Sequence, residues 1–85
     1  GPTNTTPSTL EATGPAIAKL REAAETLEKR EDYLARKIDN EVKQAQELMK
    51  ANKKKEALTC MKRKKLYEKQ LEQLSNQKMT LETQR

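Results

Sequence analysis

Between Asn52 and Lys65 lie seven basic side chains, at positions 53, 54, 55, 62, 63, 64 and 65, against a single carboxylate, Glu56. The chemistry open to such a cluster is electrostatic. It can hold an anionic surface, either nucleic-acid phosphate or an array of acidic lipid headgroups, with a grip that weakens as salt is added. The rest of the chain is close to neutral, with eight basic against nine acidic residues before Asn52 and three against three after Lys65. The formal charge of +5 therefore sits in this one stretch. At about 100° per residue along a helix, Lys54, Lys65, Lys69, Lys62 and Lys55 fall within an arc of about 100°, with Leu58 among them. A solvated helix face ordinarily mixes both signs, whereas this one has almost no acid for about three turns.

Other chemistry has little to work with. The chain has no His, and its one Cys, Cys60, has no base partner. There is no G-x-x-x-x-G-K-[ST] phosphate loop, no G-x-S-x-G nucleophile turn and no set of metal ligands, so neither an enzyme nor a cofactor is expected. Cys60 and Tyr67 both fall on an apolar stripe, where a small buried thiol and a packed ring are the simpler readings. A basic region beside heptads also suits a zipper-type DNA reader. Here the Asn52-to-Cys60 spacing is one residue too long, Lys55-Glu56 stands where an Ala pair belongs, and Lys78 interrupts the zipper. These departures argue against nucleic acid as the partner.

The elements that must carry the lysines are long helices. Of the 85 residues 36% are charged and 2% aromatic, with no Phe or Trp, so an elongated shape is expected rather than a conventional core. After Pro15 there is neither Gly nor Pro, and strong helix formers dominate. Residues 1–14, rich in Thr, Pro and Gly, are expected to be a disordered arm, and Gly1-Pro2 resembles the pair left by a tag-removing protease. Heptad character continues up to Arg85, which suggests a piece of a longer protein. The expected organisation is a first helix over 15–51, a turn over 52–55 and a second helix over 56–85. A lone Cys, with no secretory segment and no run of about 18 apolar residues, fits a cytoplasmic chain.

Within the first helix, Ile17, Leu20, Ala24, Leu27, Glu31, Leu34, Ile38, Glu41, Ala45 and Leu48 recur at alternating steps of three and four. The second repeats the rhythm at Ala57, Cys60, Lys64, Tyr67, Leu71, Leu74, Lys78 and Leu81. The register breaks between them. One continuous rod and an antiparallel hairpin both fit the break; matched lengths and a short polar break favour the elongated antiparallel hairpin, which is the fold expected, and the absence of Gly and Pro at the break is the main argument against it. In an all-α hairpin closing near Asn52, Leu34 would face Leu71, Ile38 would face Tyr67 and Ala45 would face Cys60. Glu41 would then meet Lys64 and help fix the register. The acidic cluster Glu28, Glu31 and Asp32 could pair with basic residues near the turn of another copy, supporting a polymer. The alternative is a coiled-coil adaptor whose lysine stripe is merely solvated.

The ordered series Ala16 to Glu22 (AIAKLRE), Leu34 to Ile38 (LARKI), Ala57 to Lys65 (ALTCMKRKK) and Tyr67 to Leu71 (YEKQL) resembles the ESCRT-III family, in its charged multivesicular body protein 4 class. The resemblance implies a membrane-remodelling scaffold whose N-terminal core is a long helical hairpin. Such subunits assemble with themselves and with other ESCRT-III subunits into filaments on anionic membranes. They act in multivesicular body sorting, scission and abscission, peripherally on endosomal and other membranes. An AAA ATPase recruited by a C-terminal tail, absent from this sequence, takes them apart. The family's membrane contacts lie on the basic face of the second helix, which here carries Lys54, Lys62 and Lys65 with Lys55 and Lys69 alongside. Two features depart from the family pattern: Thr3 to Gly14 lacks an amphipathic membrane anchor, and no Gly stands near the turn.

Overall fold

The structure is a computed structural model that describes residues 12–83. The arm expected over 1–14 lies mostly outside the described residues. Ala12–Ala16 forms one wide helical turn in which Gly14 leaves helical geometry (φ −99°, ψ −113°) and Pro15 follows. Two helices account for nearly all the rest, α1 over Ile17–Lys50 and α2 over Lys54–Thr83. The first begins two residues later than expected, after the Gly14 kink, and the second begins two residues earlier.

The chain doubles back between the helices, so the hairpin forms and the single rod does not; the molecule measures 73 × 14 × 10 Å. The reversal is a hydrogen-bonded cap. The Lys53 N–H donates to the Leu48 carbonyl (2.8 Å) and the Asn52 N–H to the Met49 carbonyl (3.0 Å), closing the last turn of α1 as a Schellman motif. That motif needs one left-handed residue, and Asn52 supplies it at φ 59°. Asparagine is the side chain that best tolerates this region after glycine, which is why the turn works without Gly. The first α2 bond follows at once, from the Ala57 N–H to the Lys53 carbonyl (3.0 Å).

Packing follows the two heptad series. Leu34, Glu41, Ala45, Ala57, Cys60 and Leu74 are buried, and the other positions of both series are half-buried. With only one partner per helix, the flanks of most apolar side chains remain wet. The tightest packing is near the turn, where Ala45, Ala57 and Cys60 form a cluster capped by Leu48. Small side chains there let the helices approach closely enough to leave Cys60 only 1% exposed.

Among the described residues, two charged pairs cross the interface. Arg63 Nε donates to Glu41 Oε2 at 2.9 Å, and Lys78 Nζ lies 3.1 Å from Glu31 Oε1. The expectation that Glu41 meets Lys64 is corrected: the Lys64 ammonium turns along its own helix to Glu68, 3.5 Å away. A planar guanidinium can reach a carboxylate from the flank and tolerates partial desolvation, whereas an ammonium favours the wetter partner one turn on. Glu31, expected in a contact between copies, is instead engaged within its own hairpin.

Candidate anion-binding surface

The basic residues of α2 from Lys54 to Lys69 are sorted by the fold into two groups. Arg63 points toward α1 and is neutralised by Glu41, while Lys64 is half-buried on the seam and paired with Glu68. Lys54, Lys55, Lys62, Lys65 and Lys69 are exposed, and among the described residues none of these five is held in an ion pair. Two exposed lysines of α1 are paired, Lys43 lying 2.9 Å from Asp39 and Lys50 3.3 Å from Glu47, while Lys19 and Lys29 are exposed and, among the described residues, unpaired. The α2 face carries uncompensated charge toward the turn because Glu56 is the one acid between Lys54 and Lys65.

Local electrostatics sharpen the contrast. Lys54 and Lys55 occupy the first turn of α2, where the helix macrodipole disfavours cations and only Glu56 offsets them. An anion docked on this face would relieve that repulsion. Behind the face, the hydrogen bond from Arg63 holds the Glu41 carboxyl below its ordinary range despite the opposing effect of burial, and the same bond raises the Arg63 guanidinium. Glu41 Oε1 is buried without a hydrogen-bond partner, while Arg63 Nη2 also reaches Cys60 Sγ at 3.4 Å. Cys60 Sγ lies 3.8 Å from Gln44 Oε1. This polar cluster ties the two helices together beside the turn.

The remaining residues singled out from the sequence lie as follows. Leu34, Glu41 and Leu74 are buried; Leu27, Ile38, Lys64, Tyr67 and Leu71 are half-buried between the helices. Glu28 and Asp32 are exposed, on the arm remote from the turn. Leu58, among the lysines, is 56% exposed. The sequence reading missed Arg63 as a cross-helix partner and the Glu31–Lys78 pair. The latter left a signal, because each helix has two charged seam positions, acidic on α1 and basic on α2. Among the described residues no group of His, Cys, Asp and Glu could hold a metal, and no helix is long and apolar enough to cross a membrane.

The Snf7 family pattern matches residues 15–85. Charged multivesicular body protein 4c of Danio rerio is 49% identical over 70 residues, covering 82% of this chain and 31% of the relative. Vacuolar protein sorting-associated protein 32 homolog 1 of Arabidopsis thaliana is 44% identical over 68 residues, 80% of this chain and 32% of the relative. Charged multivesicular body protein 4 of Drosophila melanogaster is 42% identical over 73 residues, 86% of this chain and 32% of the relative. The chain thus spans about a third of the length of the curated relatives it matches. No solved structure matches it significantly. A match over nearly the whole hairpin, with relatives from a plant, a fish and a fly, makes this chain a member of the Snf7 family, an ESCRT-III subunit of the charged multivesicular body protein 4 type.

Proposed function

We propose that this hairpin is the core of a membrane-remodelling scaffold that lies on anionic membranes with the lysine face of α2 against the headgroups and polymerises there. The observation that carries the reading is the set of five exposed, unpaired lysines, Lys54, Lys55, Lys62, Lys65 and Lys69, on one helix whose other basic residues are neutralised. Each lysine near an acidic membrane surface contributes about 1 kcal/mol, so the row suffices for binding when many copies act together. The names of the relatives connect such a subunit with multivesicular bodies and vacuolar sorting. Its role would be in multivesicular body sorting, scission and abscission, at the cytoplasmic surface of endosomal and other membranes. Its partners would be anionic lipids, further copies, other ESCRT-III subunits and an AAA ATPase acting on a tail beyond this chain.

For the polymer, the exposed carboxylates Glu28 and Asp32 could meet basic residues near the turn of a neighbouring copy. Glu31 adds less, being committed to Lys78.

Sedimentation with phosphatidylserine vesicles tests the membrane reading. Wild type should sediment at about 0.1 M salt, and the triple variant Lys54→Glu, Lys62→Glu, Lys65→Glu should bind at least about 100-fold more weakly, at about 1 kcal/mol per lysine. Failure of both to sediment at low salt would leave an adaptor hairpin with a merely solvated face.

A further inference from the structure

An apolar groove opens at the turn end of the hairpin, beside the lysine row. Val42 and Met49 of α1 and Leu58 and Met61 of α2 line it, with Lys50 and Lys54 at its edge. Its side chains are unusually exposed for their type, with Met49 at 54%, Leu58 at 56% and Met61 at 37%. They are not scattered. Helix geometry places Met61 and Leu58 about 20° and 40° to either side of Lys54, so the groove runs without a break from the edge of the seam into the lysine arc. No acidic residue lines it, and its rim is cationic.

We infer that this groove is the apolar half of the same membrane contact: Met49, Leu58 and Met61 enter the boundary between headgroups and acyl chains while the neighbouring lysines hold the phosphates. The inference rests on the proposed lipid-facing role of α2 and adds a component that salt does not screen. Charge selects the occupant, since an anionic bilayer offers negative headgroups at the rim and hydrocarbon just beneath, in the order in which this surface presents lysine and then thioether or leucine. Flexible methionine side chains suit a surface without fixed shape.

Two measurements on this chain test it. In a salt series with phosphatidylserine vesicles, wild type should keep part of its binding at about 0.5 M salt, where lysine contacts are largely screened. The variant Met49→Gln, Leu58→Gln, Met61→Gln should still sediment at low salt yet lose that residual binding, by roughly tenfold or more. Leu66→Gln, on an equally exposed leucine outside the groove (62%), should leave it unchanged. Helix content and melting of each variant report on folding directly. The chain has no Trp, so Leu58→Trp gives a single reporter whose fluorescence should shift blue on vesicles and be quenched by lipids brominated in the acyl chain. Wild type and groove variant with the same salt curve, or a Leu58→Trp reporter that is bound but unquenched, would overturn the groove's part while leaving the lysine face standing. A Leu66→Gln effect equal to that of the groove variant would overturn the assignment to this groove. Absence of all vesicle binding, at any salt, would remove both.

Discussion

Toward the turn, the interface is built from Ala45, Ala57 and Cys60, whose small side chains bring the helices together and are all buried. At the opposite end the same heptad rhythm is filled by Ile17, Leu20, Leu27 and Leu81, larger residues that are nevertheless only half-buried. Open grooves flank them on both sides, one lined by Leu20, Ala24 and Leu81, the other by Ala23, Leu27 and Gln77. Bulk alone does not bury a side chain. At the turn a covalent reversal and a capped helix end hold two backbones close, whereas at the open end no such link joins the helices among the described residues. Local stability should therefore fall from the turn toward the termini, with fraying there at little cost.

Replacing one leucine in each half offers the strongest way to break this comparison. Leu34→Ala removes a buried side chain from the middle of the interface and should cost about 2 to 3 kcal/mol, the lower part of the range for core leucines because the site is only two helices thick. Leu20→Ala, at the half-wet end, should cost about 1 kcal/mol or less. Urea melts of the two variants check the difference; equal losses would mean that the open end is as well packed as the middle of the interface.

The turn itself gives a smaller and more local effect. Asn52→Val places a β-branched residue at φ 59° and should cost about 1 to 2 kcal/mol, while Asn52→Gly, free of that strain, should be neutral or stabilising by a few tenths to about 1 kcal/mol. Amide exchange should show the loss in the Asn52→Val variant concentrated in the last turn of α1 and the first of α2. A loss spread evenly along both helices would mean that the gradient from turn to terminus is absent.

Smallest of all is the acid response of the polar lock beside the turn. Glu41 is held below its ordinary pKa by Arg63, so its contribution is full above the ordinary glutamate value and is lost as pH falls through the lower, folded one. Wild type should therefore lose melting temperature by a few degrees below about pH 4, beyond the loss seen in Glu41→Gln, which should be flatter there. Lys78 at the remote end is shifted the other way: Glu31 raises it, so what the raised ammonium contributes is lost as pH climbs through the raised value rather than in acid. An acid effect of the same size in Glu41→Gln would show that the lock does not report on the turn end.

Much of this was legible in the residue series. The two heptad stripes, the charge run and the single break follow from spacing alone, since a helix repeats every 3.6 residues whatever it packs against. The Asn52 cap was only half legible: asparagine after a helix suggests a cap, but its left-handed geometry depends on the chain reversing there. The choice of Arg63 over Lys64 as partner of Glu41 was not legible, because the two are adjacent in sequence and differ only in reach and hydration. Likewise Leu58 reads as a lone apolar residue among the lysines, and only with Met61 and with Val42 and Met49 of the other helix beside it does it form a groove.

What the sequence determined by itself is local: which stretches are helical, which stripe of each is apolar and where the basic run lies along α2. Tertiary structure decided everything that joins residues remote in the chain, namely the hairpin over the rod, the Glu41–Arg63 and Glu31–Lys78 pairs, and which lysines stay free. The division has a physical cause. Periodicity and propensity act over a few residues, whereas the choice of partner across an interface turns on separations of a few ångströms that exist only once two backbones have been brought side by side.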